Sequence, residues 1–488
     1  MSNSPAHSIN ILFLAAEADP FIKVGGLGDY TGSLPLALRN LLPEIIHNHK
    51  IDIRLVIPFH GKISAKKWGI RFLTKFSITE KCKSVIVKVY FTQIDGLPVY
   101  LIGRNRRENN STSIYSEKPF QNSRKYAFFS VACLELLKHL NWKADIMHAN
   151  DWHTAFSILR LSQLKKADRF YENIKTLLTI HNLAYMGGGS ETALKSFQFE
   201  PVKKRCLPSW AKTQPLPMGL ALADEIVAVS PSYSKEITTP LFGYGLEKLL
   251  LERRKSIFGI LNGIDYQKWD PLHDSCIENS YSVQSTPQRL NNKHLLQKQF
   301  GLFSRDSLIP LVTIISRLDM QKGIDLIIDG FRLIKDIPLQ LIILGTGNNN
   351  IEKECVNLEN EFPEKVRAII RYDEVLARKL YSGADMILIP SRYEPCGTTQ
   401  MIAMRYGCMP IARATGGLKD SIQDGKNGFL FNSPTPLALV ETIRKAVDTY
   451  QKKPDQWRKM QIQAMNSDFS WNNSALLYAK RYIKLLSA

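Results

Sequence analysis

At 488 residues the chain exceeds what a single hydrophobic core usually supports, so two domains are expected. Its 44% hydrophobic and 22% charged content is that of an ordinary globular protein and excludes a largely disordered chain. The formal net charge of +19 bears on partners rather than fold. Its clusters, Arg104-Asn105-Arg106-Arg107, Lys203-Lys204-Arg205 and Arg253-Arg254-Lys255, are short and lack interleaved aromatics, so solvated faces are expected there and no nucleic-acid groove.

In chain order, Met1 to Asn10 has no positively charged leader, and the apolar run Ile11–Ala16 is too short for a signal core and stops at Glu17. Short apolar runs recur at Ile53–Ile57, Val85–Tyr90, Val99–Ile102, Asp145–His148, Thr176–Ile180 and Glu225–Val229. Between them, Tyr126, Phe129, Cys133, Leu136, Leu137 and Leu140 fall three and four residues apart, which predicts one apolar helix face across Arg124 to Leu140. Strands alternating with helices predict a largely parallel sheet covered on both sides.

A polar stretch, roughly Asp270 to Asn292, interrupts the alternation with Pro271, Ser275, Ser280, Ser282 and Ser285, and a crossing between domains is expected near it. The pattern restarts with Leu311–Ile315, Leu339–Leu344, Val366–Ile370, Met386–Ile389 and Met409–Ala412, which predicts a second doubly wound sheet. Two such domains facing each other leave a cleft, the usual home of a small-molecule site. Ser474 to Leu486 reads as a closing amphipathic helix that docks on the fold. No run approaches membrane-spanning length, so no membrane partner is expected. Cys82, Cys133, Cys206, Cys276, Cys355, Cys396 and Cys408 show no CxxC spacing, so neither a disulfide framework nor a zinc site is expected, and a reducing, cytoplasmic setting follows.

The residues that carry chemistry stand at strand ends. After the first run comes Lys23-Val24-Gly25-Gly26-Leu27-Gly28-Asp29-Tyr30, a glycine-rich turn opening a helix, where unpaired N–H groups and a lysine suit a phosphate or a sugar; a plain tight turn is the other reading. His148 to His153 and Thr179 to Tyr185 each follow a strand and bring hydrogen-bonding side chains; a metal held by His148, Asp151, His153 and His181 is conceivable, but no metal-site spacing supports it. Ser316 to Gly323 places Arg317 and Lys322 after a strand, fit to meet a diphosphate or simply solvated. Gly345-Thr346-Gly347 and Arg413 to Asp420 end two further strands.

The stretch Pro390 to Met401 is the centre of the pattern: an apolar strand stops, and Glu394, Gly397 and several backbone N–H groups follow in a turn before a helix. The alternative is that Glu394 caps that helix and Pro395 begins it. The five glycine- or cation-bearing turns, at 23–30, 316–323, 345–347, 390–401 and 413–420, together point to a phosphorylated ligand held between two halves.

Laid out in this order, the motifs resemble those of the bacterial glycogen synthases and plant starch synthases, retaining glucosyltransferases of the two-Rossmann architecture called GT-B. The resemblance covers nearly the whole length and adds Val229-Ser230-Pro231-Ser232-Tyr233, Leu261-Asn262-Gly263-Ile264-Asp265 and Asp468-Phe469-Ser470-Trp471 to the stretches above. It implies an acceptor-side domain at 1–258, a donor-side domain at 259–470, and a helix at 471–488 returning to the first domain. It implies transfer of glucose from ADP-glucose, or UDP-glucose, to the non-reducing end of an α-1,4-glucan, with no cofactor or metal. By that resemblance Lys23, Gly25 and Gly26 reach the donor, Arg317 and Lys322 neutralise its diphosphate, and Tyr372 stacks on its base. Glu394 with the backbone at Cys396, Gly397 and Thr398 holds the glucosyl hydroxyls, and Asp151 and His181 line the sugar side. Two other readings stay open: a GT-B transferase acting on a different acceptor, and a donor-binding protein with reduced turnover.

Overall fold

The computed structural model describes residues 7–104, 114–302 and 308–487. It divides into two compact units, Met1–Gly263 with Trp471–Ala488, and Ile264–Ser470.

The first unit carries nine strands: β1 (His7–Leu14), β2 (His49–Pro58), β3 (Arg71–Glu80), β4 (Lys83–Ile94), β5 (Leu97–Gly103), β6 (Ile146–Asn150), β7 (Lys175–Ile180), β8 (Glu225–Ala228) and β9 (Ile257–Gly259). They lie in the order β3-β4-β5-β2-β1-β6-β7-β8-β9. From β5 to β9 every pairing is parallel, with Ile11 of β1 opposite both Ile53 and Ile146. The exception is the antiparallel edge made by β3, β4 and β5. Its two hairpins turn at Lys81-Cys82 and at Asp95-Gly96, all four residues having positive φ, the conformation of two-residue hairpin turns. β3 buries Phe76, Ile78 and Glu80 on one face only, which is why no continuous apolar run marks it.

The helix Trp471–Ser487 belongs to this unit's core, with Trp471, Ala475, Tyr478, Ala479, Tyr482 and Leu485 all buried on one face. Polar contacts fix its register. Tyr30 donates to the Tyr478 hydroxyl at 2.9 Å, Tyr482 Oη lies 2.7 Å from His148 Nδ1, and His148 Nε2 lies 2.7 Å from Thr179 Oγ1. Burial holds the His148 imidazole well below its ordinary pKa, so it is neutral in this core. Tyr482→Phe removes the partner of a fully enclosed ring nitrogen, and the expected loss is about 1–3 kcal/mol, read as a lower denaturation midpoint at unchanged slope.

The second unit has β10 (Leu311–Ile315), β11 (Gln340–Gly345), β12 (Val366–Ile370), β13 (Met386–Ile389), β14 (Met409–Arg413) and β15 (Phe429–Phe431). They are parallel throughout, in the order β12-β11-β10-β13-β14-β15. The polar stretch expected to mark a crossing lies inside this unit, because its polar groups are buried partners of the fold. Asp274 accepts from Arg378 at 3.0 Å and from the Tyr406 hydroxyl at 2.5 Å, and the buried Arg289 guanidinium donates to the carbonyls of Tyr381 and Ala384.

Of the basic cluster at 104–107, only Arg104 lies within the described residues, where it pairs with the buried Glu80 at 2.5 Å. Lys203, Lys204 and Arg205 are exposed as expected. Arg253 departs from that expectation: its guanidinium donates to the carbonyls of Leu220, Ala221 and Ala223, closing the end of the helix Pro215–Leu222. All seven cysteines are free, and no helix among the described residues is long and apolar enough to cross a membrane.

Candidate active site

In the second unit β10 and β13 are neighbours, with β11 and β12 built outward on one side and β14 and β15 on the other. The direction of winding reverses between them, and the loops leaving their carboxyl ends diverge over a crevice. Those loops are 316–323 after β10 and 390–398 after β13.

The first loop is pressed onto the second. Gly323 has φ +70°, and a methyl group there would stand 2.3 Å from the Pro390 carbonyl, so only glycine allows the approach. It brings Lys322 Nζ to 2.5 Å from Glu394 Oε2, which also accepts from Ser391 Oγ at 2.9 Å. The loop after β14 closes in from the other side: Gly416, with φ +45°, would place a methyl 1.9 Å from the Glu394 carbonyl, and Gly417 N–H donates to that carbonyl at 3.2 Å. The glycine of β14's loop thus serves close packing around Glu394. A small cavity opens beside the ion pair, lined by Ser316, Lys322, Ser391, Glu394, Gly397 and Gln400.

Glu394 does not cap the following helix, which begins only at Thr399 without a side-chain cap. Cys396 is buried, Gly397 has φ +71°, and Thr398 stands at the helix entrance. Arg317 reaches outward: it pairs with Asp319 at 2.9 Å and donates to Gln321 Oε1 at 3.3 Å, and Gln321 in turn donates to the Tyr393 carbonyl at 3.0 Å. Arg317 is therefore tied to Glu394's loop through Gln321, with its guanidinium largely exposed. Tyr372 follows β12, separated from β10 by β11, and is 79% exposed, so the structure does not bring it to the Lys322–Glu394 pair.

In the first unit the winding reverses at β1, between β2 and β6. Gly25 and Gly26 begin the helix Gly26–Arg39, and Lys23 pairs with Asp29 at 2.6 Å. Asp151 begins the helix after β6 at φ +54°, a left-handed conformation that aspartate tolerates better than most side chains. Its Oδ1 accepts from His181 N–H at 2.7 Å and Asn182 N–H at 3.4 Å, which fixes the loop after β7. Burial pushes the Asp151 carboxyl up to about 7 against the opposing pull of those N–H groups. His181 Nε2 lies 3.0 Å from Asn150 Oδ1, its ring meets Tyr30 edge-on at 4.4 Å, and burial lowers its pKa to about 3.

The four side chains once conceivable as a metal set have separate tasks. His148 is locked in the core, and His153 packs against Tyr126 and Trp152. Among the described residues no group of three or more histidines, cysteines or carboxylates is placed to hold a metal ion. Sequence reading gave no role to Ser391, which donates to Glu394, or to Gln321, which links Arg317 to the Tyr393 carbonyl.

The starch synthase catalytic domain family matches residues 10–252, and the glycosyl transferases group 1 family matches residues 304–463. A glycogen synthase of Clostridium perfringens is 38% identical, covering 98% of this chain and 98% of its own. The chain belongs to the glycogen and starch synthase family of glycosyltransferases. A glycogen synthase of Geotalea daltonii is likewise 38% identical over 98% of this chain and 99% of its own. The catalytic domain of starch synthase IV from Arabidopsis thaliana, solved with ADP and acarbose bound, superposes with a TM-score of 0.88 at 31% identity, over 99% of this chain and all of that one. The fold is therefore GT-B, with two parallel-sheet α/β domains, and the chain is a glycosyltransferase.

Proposed function

We propose that this enzyme transfers glucose from ADP-glucose to the non-reducing end of an α-1,4-glucan with retention of configuration. The observation that carries the reading is the enclosed Lys322–Glu394 pair at the point where the second sheet reverses its winding. The ADP held by the related Arabidopsis starch synthase supports the choice of donor.

In this reaction the bond from the glucosyl C1 to the diphosphate breaks and ADP leaves with the bonding electrons, while the acceptor 4-hydroxyl bonds to C1 and passes its proton to the departing diphosphate oxygen. Positive charge develops on the sugar and negative charge on the departing diphosphate. Fixed cations beside the phosphates and a carboxylate beside the hexose stabilise both developing charges and lower the barrier. Arg317 and Lys322 take the diphosphate, doing what a divalent ion would otherwise do. Glu394 and the backbone at Cys396, Gly397 and Thr398 hold the glucosyl hydroxyls, and Tyr372, exposed in the free protein, gains its partner when it stacks on the base.

In the first unit we assign Lys23 and the Gly25–Gly26 backbone to donor binding, and Asp151 and His181 to the sugar side. Residues 1–258 thus carry the acceptor side and 259–470 the donor side, and the free cysteines suit a reducing cytoplasm. Incubation of the purified chain with labelled ADP-glucose or UDP-glucose and glycogen tests the proposal. Incorporation into precipitable glucan is expected with ADP-glucose. Incorporation from UDP-glucose alone corrects the donor, and none from either overturns the reading.

A further inference from the structure

Glu17 follows β1, is 2% exposed, and has no part in the roles assigned above. Its Oε2 accepts from Val24 N–H at 2.8 Å, and its Oε1 from Gly28 N–H at 3.0 Å and Gly25 N–H at 3.4 Å. One carboxylate thereby gathers both ends of the turn that carries Lys23, Gly25 and Gly26. Packing does little to hold that turn: Val24 is 62% exposed, and a methyl added at Gly25 or Gly26 would meet nothing within 4 Å. Its backbone ties are the Gly28 N–H to the Gly25 carbonyl at 3.1 Å and the Asp19 N–H to the Gly28 carbonyl at 3.0 Å. The Val24 and Gly25 N–H groups in the exposed middle of the turn are both held by Glu17.

We propose that Glu17 is a positioning residue whose carboxylate holds the Val24–Gly28 turn in the shape in which Lys23 and the Gly25–Gly26 backbone meet the donor. The inference rests on the reading of that turn as donor-binding. Only an ionised carboxylate offers acceptors alone to three N–H groups; a protonated acid or an amide turns a donor against one of them. The groups facing Glu17 are Asp29 from the helix Gly26–Arg39, Asp151 from the helix after β6, Tyr126 from the helix Pro119–His139, and Tyr115. Asp29 is itself paired with Lys23 at 2.6 Å, and on the other side His60, 2.7 Å from the Ala16 carbonyl, is followed by Lys125 at 3.0 Å.

Burial, opposed by the three N–H groups and reinforced by Asp29, pushes the Glu17 carboxyl up to about 7. The charge of Glu17 also adds a little to the rise at Asp151, which burial dominates. Above this range the carboxylate grips the turn, and as pH falls through it a proton is taken up and the grip weakens. Donor KM therefore rises on the acid side.

The test uses the full chain with ADP-glucose varied and glycogen saturating. For Glu17→Gln, donor KM is expected to rise about tenfold while kcat changes by less than about threefold. Amide exchange at Val24 and Gly28 is expected to quicken by at least about tenfold, and the acid-side rise of donor KM between about pH 8 and 6 to disappear. Glu17→Asp, which keeps the charge one methylene back, is expected to retain the pH dependence and to stand in if the glutamine variant does not fold. Native amide exchange in Glu17→Gln overturns the proposal. Faster exchange with a native donor KM in Glu17→Gln, while Lys23→Ala raises that KM, also overturns it. A native donor KM in both variants shows instead that the turn does not meet the donor, and the donor-binding reading of the turn falls with the inference.

Discussion

Glu394→Gln lowers turnover at saturating donor by at least about two orders of magnitude, the scale observed when a preorganised electrostatic group is taken from a reacting centre. The glutamine keeps the size and one oxygen but loses the charge that answers the positive sugar. It also sets an amide where Oε2 now receives Lys322 at 2.5 Å and Ser391 at 2.9 Å. An effect made only in the transition state lowers kcat and kcat/KM together, with donor KM little changed. Steady-state kinetics with labelled donor checks this, and near-native kcat in a folded variant refutes the role given to Glu394.

Lys322→Ala is expected to cost turnover by a similar factor of about a hundred or more, for two reasons that act in the same direction. The diphosphate loses its counter-charge, and Glu394, 7% exposed, is left as a buried carboxylate without its cation. The second effect also lowers stability, so the melting temperature of Lys322→Ala falls further than that of Glu394→Gln. Because the two residues act as one unit, the double variant is expected to be scarcely slower than either single one. A double variant whose loss equals the product of the single losses contradicts that coupling. Measuring all three under one set of conditions decides it.

Much of the second unit was legible because β10, β11 and β13 are buried on both faces and read as nearly continuous apolar runs, broken only by Thr313 and Gln340. β9 and β15, at three residues each, are too short for any period to register, and β3 alternates at a sheet edge, with Phe72 and Leu73 exposed. The polar content of 270–292 looked like a linker because a sequence does not reveal that Asp274 finds Arg378, 104 residues away.

Glu394 was visible as a carboxylate at a strand end, and Lys322 as a cation at another, but their pairing across 72 residues follows only from the order of the strands. His148 misled for the converse reason: its partner Tyr482 stands 334 residues on, so a histidine inside a site motif proved to be a core residue holding the last helix. Glu17 was hidden because its chemistry is with backbone N–H groups, which carry no residue-specific signal.

The most direct measurement is a crystal structure of the full chain with ADP bound. The diphosphate is expected within hydrogen-bonding distance of Arg317 and Lys322 at the carboxyl ends of β10 and β13, with Glu394 facing the place of the hexose and Tyr372 against the adenine. ADP bound elsewhere, with Lys322 still closed on Glu394 and Arg317 still turned to solvent, would contradict the donor site described above.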